Sequence, residues 1–190
     1  MSIIDDHSRS LKDFKSMGIP VFAPYISEKP MKIGSGDFRL RSFDLTTLDG
    51  RWTHTNADGS ECPCYGFLIT HPEMGRMLYV TDTNLIKWKF KGINHILLGT
   101  NYDKDLVNVD NQSKANHVFR GHLSIDTACE FVKSNNSNDL QNVIMCHLSK
   151  NNADKDLFIE KMKKVAKNAN VDVAEPEKSW VLQKGDECPF

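Results

Sequence analysis

Aspartate and histidine side chains recur in this sequence at the ends of apolar, strand-like runs or in the loops after them. Six of them are candidates for chemistry: Asp6, His7, His54, Asp82, His122 and His147. Oxygen and imidazole ligands without thiolates suit zinc, manganese or iron in a hydrolytic site. A carboxylate shared by two ions about 3.5–4 Å apart is the two-metal arrangement. These residue types therefore indicate a metal-dependent hydrolytic site.

Asp82 stands at the C-terminal end of the apolar run 77–81, between Thr81 and Thr83. A carboxylate is a poor choice for packing there, but a metal ligand benefits from such rigid backbone. The alternative is a helix N-cap, in which Asp82 or Thr83 begins a short helix over 85–90. Histidines after other apolar runs favour the metal interpretation.

The histidines differ in how strongly their surroundings indicate chemistry. His147 follows four apolar residues, and a histidine at the end of a strand needs a partner once it is buried. His54 lies in the polar loop 46–61, where a solvated side chain is the alternative. For His122 the alternative is a helix-entry residue bonded to nearby backbone. His95 lies inside an apolar strand and is expected to be a satisfied core histidine.

The remaining histidines and the N-terminal pair carry less weight. His71 and His117 are expected in a turn and at the surface, respectively. Asp6 and His7 come at the start of the chain, where an irregular terminus is the alternative to a pair of ligands.

Apolar patterns predict the elements that position these residues. Strands are predicted at 19–23, 31–34, 37–45, 64–69, 77–81, 93–99, 143–149, 171–174 and 180–182. Capped amphipathic stretches predict helices that end at Met17, span 125–134, and run from 154 or 156 to about 168. The front half is mostly strand and the later part alternates strand and helix, which indicates sheets covered by helices.

The composition sets limits on the class of protein. The chain has 190 residues, enough for one domain with a real core, and we expect a single domain over 1–184 with a flexible tail at 185–190. A net charge of -1 gives no global attraction to nucleic acid or membrane. Neither a membrane span nor a signal peptide is expected. Five scattered cysteines without zinc-knuckle spacing predict free thiols and a cytoplasmic location.

Four short segments resemble motifs of the metallo-β-lactamase superfamily in order and spacing. They are Asp6-His7, Thr81-Asp82-Thr83, Gly121-His122-Leu123-Ser124 and Cys146-His147-Leu148-Ser149. The resemblance extends from Asp6 to about Leu182. It is nearest to the phosphodiesterase branch, which includes tRNase Z, the WalJ/YycJ-type proteins and the phage anti-Pycsar cyclic-nucleotide hydrolases. It implies an α+β fold, an αββα sandwich of two facing sheets with metals at the sheet edges.

The first motif of this family is HxHxDH, and its positions are taken here by Ser2, Ile4, Asp6 and His7. The Asp-His pair is kept, whereas both earlier histidines and the strands that precede the motif are absent. We therefore expect an N-terminally truncated version of the fold. Since missing strands leave an exposed sheet edge, a homodimer or higher oligomer is also expected.

The resemblance implies two metal positions that share Asp82. One would keep Asp6, His7, Asp82 and His147. The other would keep only His54 and Asp82, fewer than the three protein ligands usual for catalytic zinc. We therefore expect one tightly held ion per chain, zinc with manganese or iron as alternatives, and a second position that is weak or empty.

Three functions remain open on these residues. The first is metal-dependent hydrolysis of a phosphodiester in a nucleotide or nucleic acid, with Asp82 and His122 as catalytic residues. The resemblance implies that His122 contacts phosphate and protonates the leaving group, which imidazole can do because its pKa lies near neutrality. The second is an inactive remnant that binds a nucleotide or a protein, and the third is an incomplete piece of a longer enzyme. The enzymatic alternatives require Asp82, His122 and His147 to converge at one sheet edge.

Overall fold

The fold is built on one seven-stranded sheet whose strands lie side by side in chain order. The computed structural model describes residues 11–18, 31–32, 38–56 and 58–185. The strands are β1 (Met31–Lys32), β2 (Arg39–Asp44), β3 (Tyr65–His71), β4 (Gly75–Val80), β5 (His95–Gly99), β6 (Asn142–Cys146) and β7 (Asn170–Val173). The helices are α1 (Leu11–Ser16), α2 (Gln112–Gly121), α3 (Ile125–Asn135) and α4 (Lys155–Val165), with a 3₁₀ turn at Lys104–Leu106.

The type of strand pairing changes once across the sheet, at β4. Strands β1 to β4 pair antiparallel, and β4 to β7 pair parallel. The β3–β4 hairpin turns through Gly75, whose φ of 79° suits glycine. Parallel strands need crossover connections, which α2 and α3 supply between β5 and β6, and α4 supplies between β6 and β7.

This topology brings several loops to one edge of the sheet. Because β2 and β4 both run antiparallel to β3, they run in the same direction, and β5 to β7 run parallel to β4. The carboxyl ends of β2, β4, β5 and β6 therefore lie at the same edge. The loops after β2, β4 and β6 carry His54, Asp82 and His147, respectively.

The core lies between the central strands and helices α3 and α4. Leu78, Ile96 and Val143 on three adjacent strands are fully buried, as are Val132 of α3 and Phe158 of α4. Strands buried on both faces read as continuous apolar runs, and for that reason β4, β5 and β6 are visible in the sequence.

Both covering helices begin at side-chain caps. Ser124 Oγ accepts a hydrogen bond from the Thr127 N–H at the start of α3, and Asp154 does the same for the Leu157 N–H at the start of α4. These caps confirm the two helices that the sequence predicted, with α4 ending at Val165 rather than near 168.

The structure differs from several predictions made from the sequence. No helix forms over 85–90, so the N-cap interpretation of Asp82 is wrong. Residues 180–182 do not form a strand; Trp180 packs back through a hydrogen bond from its Nε1 to the Asp172 carboxylate at 2.9 Å. All strands of the described residues belong to one sheet, and no second, facing sheet forms among them. The predicted strand 19–23 lies outside the described residues.

Candidate metal centre

Asp82 sits just past the end of β4 in a left-handed backbone conformation. Its φ is 49°, which is uncommon for a residue other than glycine, although aspartate is among those that tolerate it. The residue is 6% exposed, and a buried carboxylate requires partners. Gly99 of β5 lies alongside: a Cβ there would stand 2.9 Å from Thr81 Oγ1 and 3.0 Å from Thr81 Cα. The close approach of two strands thus fixes the backbone that presents Asp82.

His147 follows β6 and also has a left-handed backbone, with φ of 60°. Its Nε2 lies 3.1 Å from Asp82 Oδ1. Asn101, beyond the end of β5, donates from Nδ2 to the His147 carbonyl at 2.8 Å and accepts from the Ser149 N–H at 2.9 Å. Both residues that meet here therefore hold unusual backbone conformations, which concentrate at functional sites.

His122 enters the site from the junction of α2 and α3. Its Nδ1 lies 3.5 Å from Asp82 Oδ1, too far for a hydrogen bond, and is buried with no hydrogen-bond partner. Burial lowers the pKa of His122 to about 4, against the opposing effect of Asp82. The ring is therefore neutral at pH 7, which is the form in which imidazole binds a metal.

The long loop after β2 is tied to the residues around Asp82. Thr53 Oγ1 donates to the Leu45 carbonyl at 2.8 Å and pairs with Thr83 Oγ1 at 2.5 Å. The Asn84 N–H donates to the Thr53 carbonyl at 2.9 Å. These bonds place the residue that follows, His54, beside the end of β4.

His54 is 6% exposed, so the alternative of a solvated loop histidine is wrong. Its Nδ1 lies 2.9 Å from the Gly121 carbonyl oxygen, which only accepts hydrogen bonds. Nδ1 therefore carries the hydrogen, and the Nε2 lone pair remains available to a ligand. Such a bond to the second nitrogen is the usual way in which proteins orient a metal-binding histidine.

Three of these residues form a group that could hold a metal ion. His54, Asp82 and His122 each offer one ligand atom, and the three atoms lie within 4.8 Å of one another. The buried, unpartnered Nδ1 of His122 and the two-imidazole, one-carboxylate donor set both fit a zinc-like ion. The sequence placed His54, Asp82 and His147 as ligands and His122 in proton transfer, and all four meet here. Asp6 and His7 lie outside the described residues.

The predictions for His95 and His71 are confirmed. His95 is fully buried, with Nε2 2.8 Å from the Met74 carbonyl and Nδ1 2.9 Å from Asn142 Nδ2, so it is a satisfied core histidine. His71 lies at the β3–β4 turn.

His117 is not simply a surface residue. Its ring lies 6.3 Å from that of His54 and 5.9 Å from that of His122, measured between centroids, and its Nδ1 is buried without a hydrogen-bond partner. It precedes Gly121 by four residues, which places both on one face of α2. The four-residue spacing from His117 to Gly121 places them on one helix face only when α2 is known to include both.

Comparison with known proteins places the fold. No protein-family model matches the chain, and no curated protein matches it. Among solved structures, Igni18, a metallo hydrolase from the archaeon Ignicoccus hospitalis, is 16% identical with a TM-score of 0.57, over 92% of this chain and 73% of its own. YhfI from Bacillus subtilis, a metallo-β-lactamase fold protein, is 14% identical with a TM-score of 0.52, over 88% of this chain. The chain has the metallo-β-lactamase fold.

A third structure with this fold is an isothiocyanate hydrolase from Delia radicum gut bacteria, 10% identical with a TM-score of 0.51, over 86% of this chain and 62% of its own. The chain spans 60% of the length of YhfI. At these identities the likeness concerns the fold, and it confirms the α+β metallo-β-lactamase fold expected from the motif segments, although the described residues form one sheet rather than two facing sheets. Within the described part of the chain, no helix is long and apolar enough to cross a bilayer.

Proposed function

We propose that this chain is a metal-dependent hydrolase of phosphodiester bonds in a nucleotide or nucleic-acid substrate. One observation carries the proposal: a buried carboxylate, Asp82, faces His122 and His147 and lies beside His54, at the edge where the parallel strands end. Such edges are where open sheets of this kind bind ligands. The four motif segments favour the phosphodiesterase branch over other metallo-β-lactamase fold hydrolases.

The metal is proposed to be one tightly held ion per chain, zinc by its imidazole and carboxylate donors, with manganese or iron as alternatives. It is placed beside His54 and Asp82, the position for which the motif resemblance alone implied weak binding. When bound, such an ion supplies an activated water and stabilises negative charge on phosphate oxygens. His54 is oriented for this by the Gly121 carbonyl, which leaves Nε2 as its ligand atom. Asp82 contributes a carboxylate oxygen on strained, rigid backbone.

His122 is proposed to contact the phosphate and protonate the leaving group. In the substrate-free site burial keeps its ring neutral, with a pKa of about 4. An anionic phosphodiester beside the ring favours the protonated form, since an opposite charge stabilises the charged state. As a hydroxide oxygen bonds to phosphorus and the P–O bond to the leaving group breaks, the departing oxygen takes the proton from His122, which returns to its neutral form.

The test compares two substrates that differ in their leaving groups. Bis-p-nitrophenyl phosphate releases a phenolate that departs without a proton, whereas a dinucleotide releases an alkoxide that needs one. We expect His122→Gln to lower kcat on the dinucleotide by about 10²–10⁴-fold, the usual contribution of general acid catalysis, with a much smaller effect on the aryl diester.

Metal dependence is tested in parallel. A chelator should abolish both activities, and zinc or manganese should restore them. The matched control is His71→Gln, which removes an imidazole at the opposite edge of the sheet and should change neither rate. Hydrolysis that survives complete chelation, or a zinc-loaded chain that cleaves neither diester, would show that the proposed function is wrong.

A further inference from the structure

One imidazole beside the centre has no role in the function proposed above. His117 lies in the second half of α2, half-buried, with its Nδ1 fully inaccessible and without a hydrogen-bond partner. Among the described residues, His117 and His122 are the two whose buried side-chain nitrogens lack such a partner. Their ring centroids are 5.9 Å apart. A buried imidazole nitrogen without a hydrogen-bond partner, beside a group that could hold a metal ion, is a candidate ligand atom.

Three imidazoles form a triangle at this place. The ring centroids are 5.4 Å apart for His54 and His122, 5.9 Å for His117 and His122, and 6.3 Å for His54 and His117. Three imidazoles on a tetrahedral zinc, with Zn–N of about 2.0–2.1 Å, have centroids about 5 Å apart. The His54–His117 separation of 6.3 Å exceeds that value by about 1 Å, a gap that an inward movement of the His117 ring would close.

The proposed function leaves a vacancy in the ligand count. If His122 serves the substrate, the group of His54, Asp82 and His122 keeps two ligands, one fewer than the three protein ligands usual for catalytic zinc. His117 is the remaining imidazole in ring contact with His54. His117 lies on α2 one turn before Gly121, whose carbonyl orients His54. The C-terminal end of this helix therefore positions both histidines.

We propose that His117 is a metal ligand, which joins His54 and Asp82 as the third protein ligand of the ion. The assignment rests on the proposed function, because it is the use of His122 for the substrate that makes a third ligand necessary. His117 lies outside the tight group of His54, Asp82 and His122, so the ion draws its side chain inward as it binds.

The test measures metal binding rather than catalysis. His117→Phe keeps an aromatic ring against His54 but removes both ligand nitrogens. We expect it to weaken zinc binding by at least about tenfold, measured by competition with a chromophoric chelator, and to change the visible absorption of the cobalt-substituted protein. His122→Gln should retain zinc, and the control His71→Phe should leave both the affinity and the spectrum unchanged.

A second measurement uses the unmutated chain and does not depend on the folding of a variant. Zinc should shift the ring ¹⁵N resonances of His117 together with those of His54. Unchanged His117 resonances in the zinc-loaded protein, or full zinc affinity in a folded His117→Phe chain, would overturn the assignment. Loss of zinc by His122→Gln with retention by His117→Phe would also overturn it, because the third ligand would then be His122.

The two proposals fail in different ways. A wild-type chain that holds no zinc, manganese or iron contradicts both the proposed function and the role of His117. A wild-type chain that holds zinc and cleaves phosphodiesters, but whose zinc is indifferent to His117→Phe, contradicts only the role of His117.

Discussion

Protonation of His122 is predicted to destabilise the metal-free protein as the pH falls from about 6.5 to about 4. Burial lowers the pKa of His122 to about 4; the imidazoles of His147, His54 and His117 also lower it, and Asp82 opposes them. In the unfolded chain the pKa is about 6.5. The unfolded state thus binds this proton more tightly, so the stabilisation from the neutral ring is complete above pH 6.5 and is lost on acidification.

The size of the effect follows from the two pKa values. The difference between about 6.5 and about 4 corresponds to about 3 kcal/mol when the titration is complete, since each unit is about 1.4 kcal/mol. By pH 4.5 about 2.5 kcal/mol of this is lost. A domain has a free energy of unfolding of about 5–15 kcal/mol, so the loss is large enough to measure.

The assay is urea unfolding with EDTA present at pH 7.5, 6.0 and 4.5, for the wild-type chain and for His122→Gln. The glutamine does not titrate, so it removes this one contribution and leaves the other groups in place. On going from pH 7.5 to pH 4.5, we expect the free energy of unfolding of the wild-type chain to fall by about 2.5 kcal/mol more than that of His122→Gln. A difference between the two proteins that does not change with pH would refute this prediction. The free energy of unfolding of the control, His71→Gln, should depend on pH as that of the wild-type chain does.

Three further predictions concern the scaffold and the ligand. Gly99→Ala should destabilise the fold by about 1–3 kcal/mol and weaken zinc binding, because its Cβ would lie 3.0 Å from Thr81 Cα, next to Asp82; urea unfolding and zinc titration measure the two effects. Thr53→Val should cost about 0.5–1.5 kcal/mol in urea unfolding, because the buried Thr83 hydroxyl and the Leu45 carbonyl each lose one of their hydrogen-bond partners. Free zinc at 100 times its Kd should raise the free energy of unfolding by about 2.7 kcal/mol, measured against the chain in EDTA.

The positions of Asp82 and His147 could be predicted from the sequence because both lie at the ends of recognisable strands. Runs of apolar residues mark β4 and β6; His147, a candidate ligand, directly follows β6, and Asp82 follows β4 after Thr81 alone. Because β4, β5 and β6 pair parallel, the ends of β4 and β6 share an edge, and adjacency along the chain to a strand end was sufficient to locate both residues.

The position of His54 depends on how β2, β3 and β4 pair, which the sequence of its loop does not encode. The segment 45–64 is polar and has no regular period, so its residues look solvated in the sequence. The antiparallel arrangement of β2, β3 and β4 carries the loop to the same edge as Asp82, and the Thr53–Thr83 hydrogen bond then fixes it.

His117 was missed for a different reason. Helix α2 buries only Ala115 and Gly121, so it has too few apolar residues to show which face turns inward. Its orientation is set by its connection to α3 and by the His54–Gly121 hydrogen bond, which are tertiary features. A polar helix of this kind gives no periodic signal from which a functional histidine could be distinguished from a solvated one.

The most direct test of the metal centre is the metal content of the purified chain after dialysis, compared with that of Asp82→Ala. We predict about one zinc per wild-type chain and loss of that zinc in the variant, because Asp82 is the buried carboxylate that His122 and His147 face. A folded Asp82→Ala chain that keeps its full metal content would contradict the account.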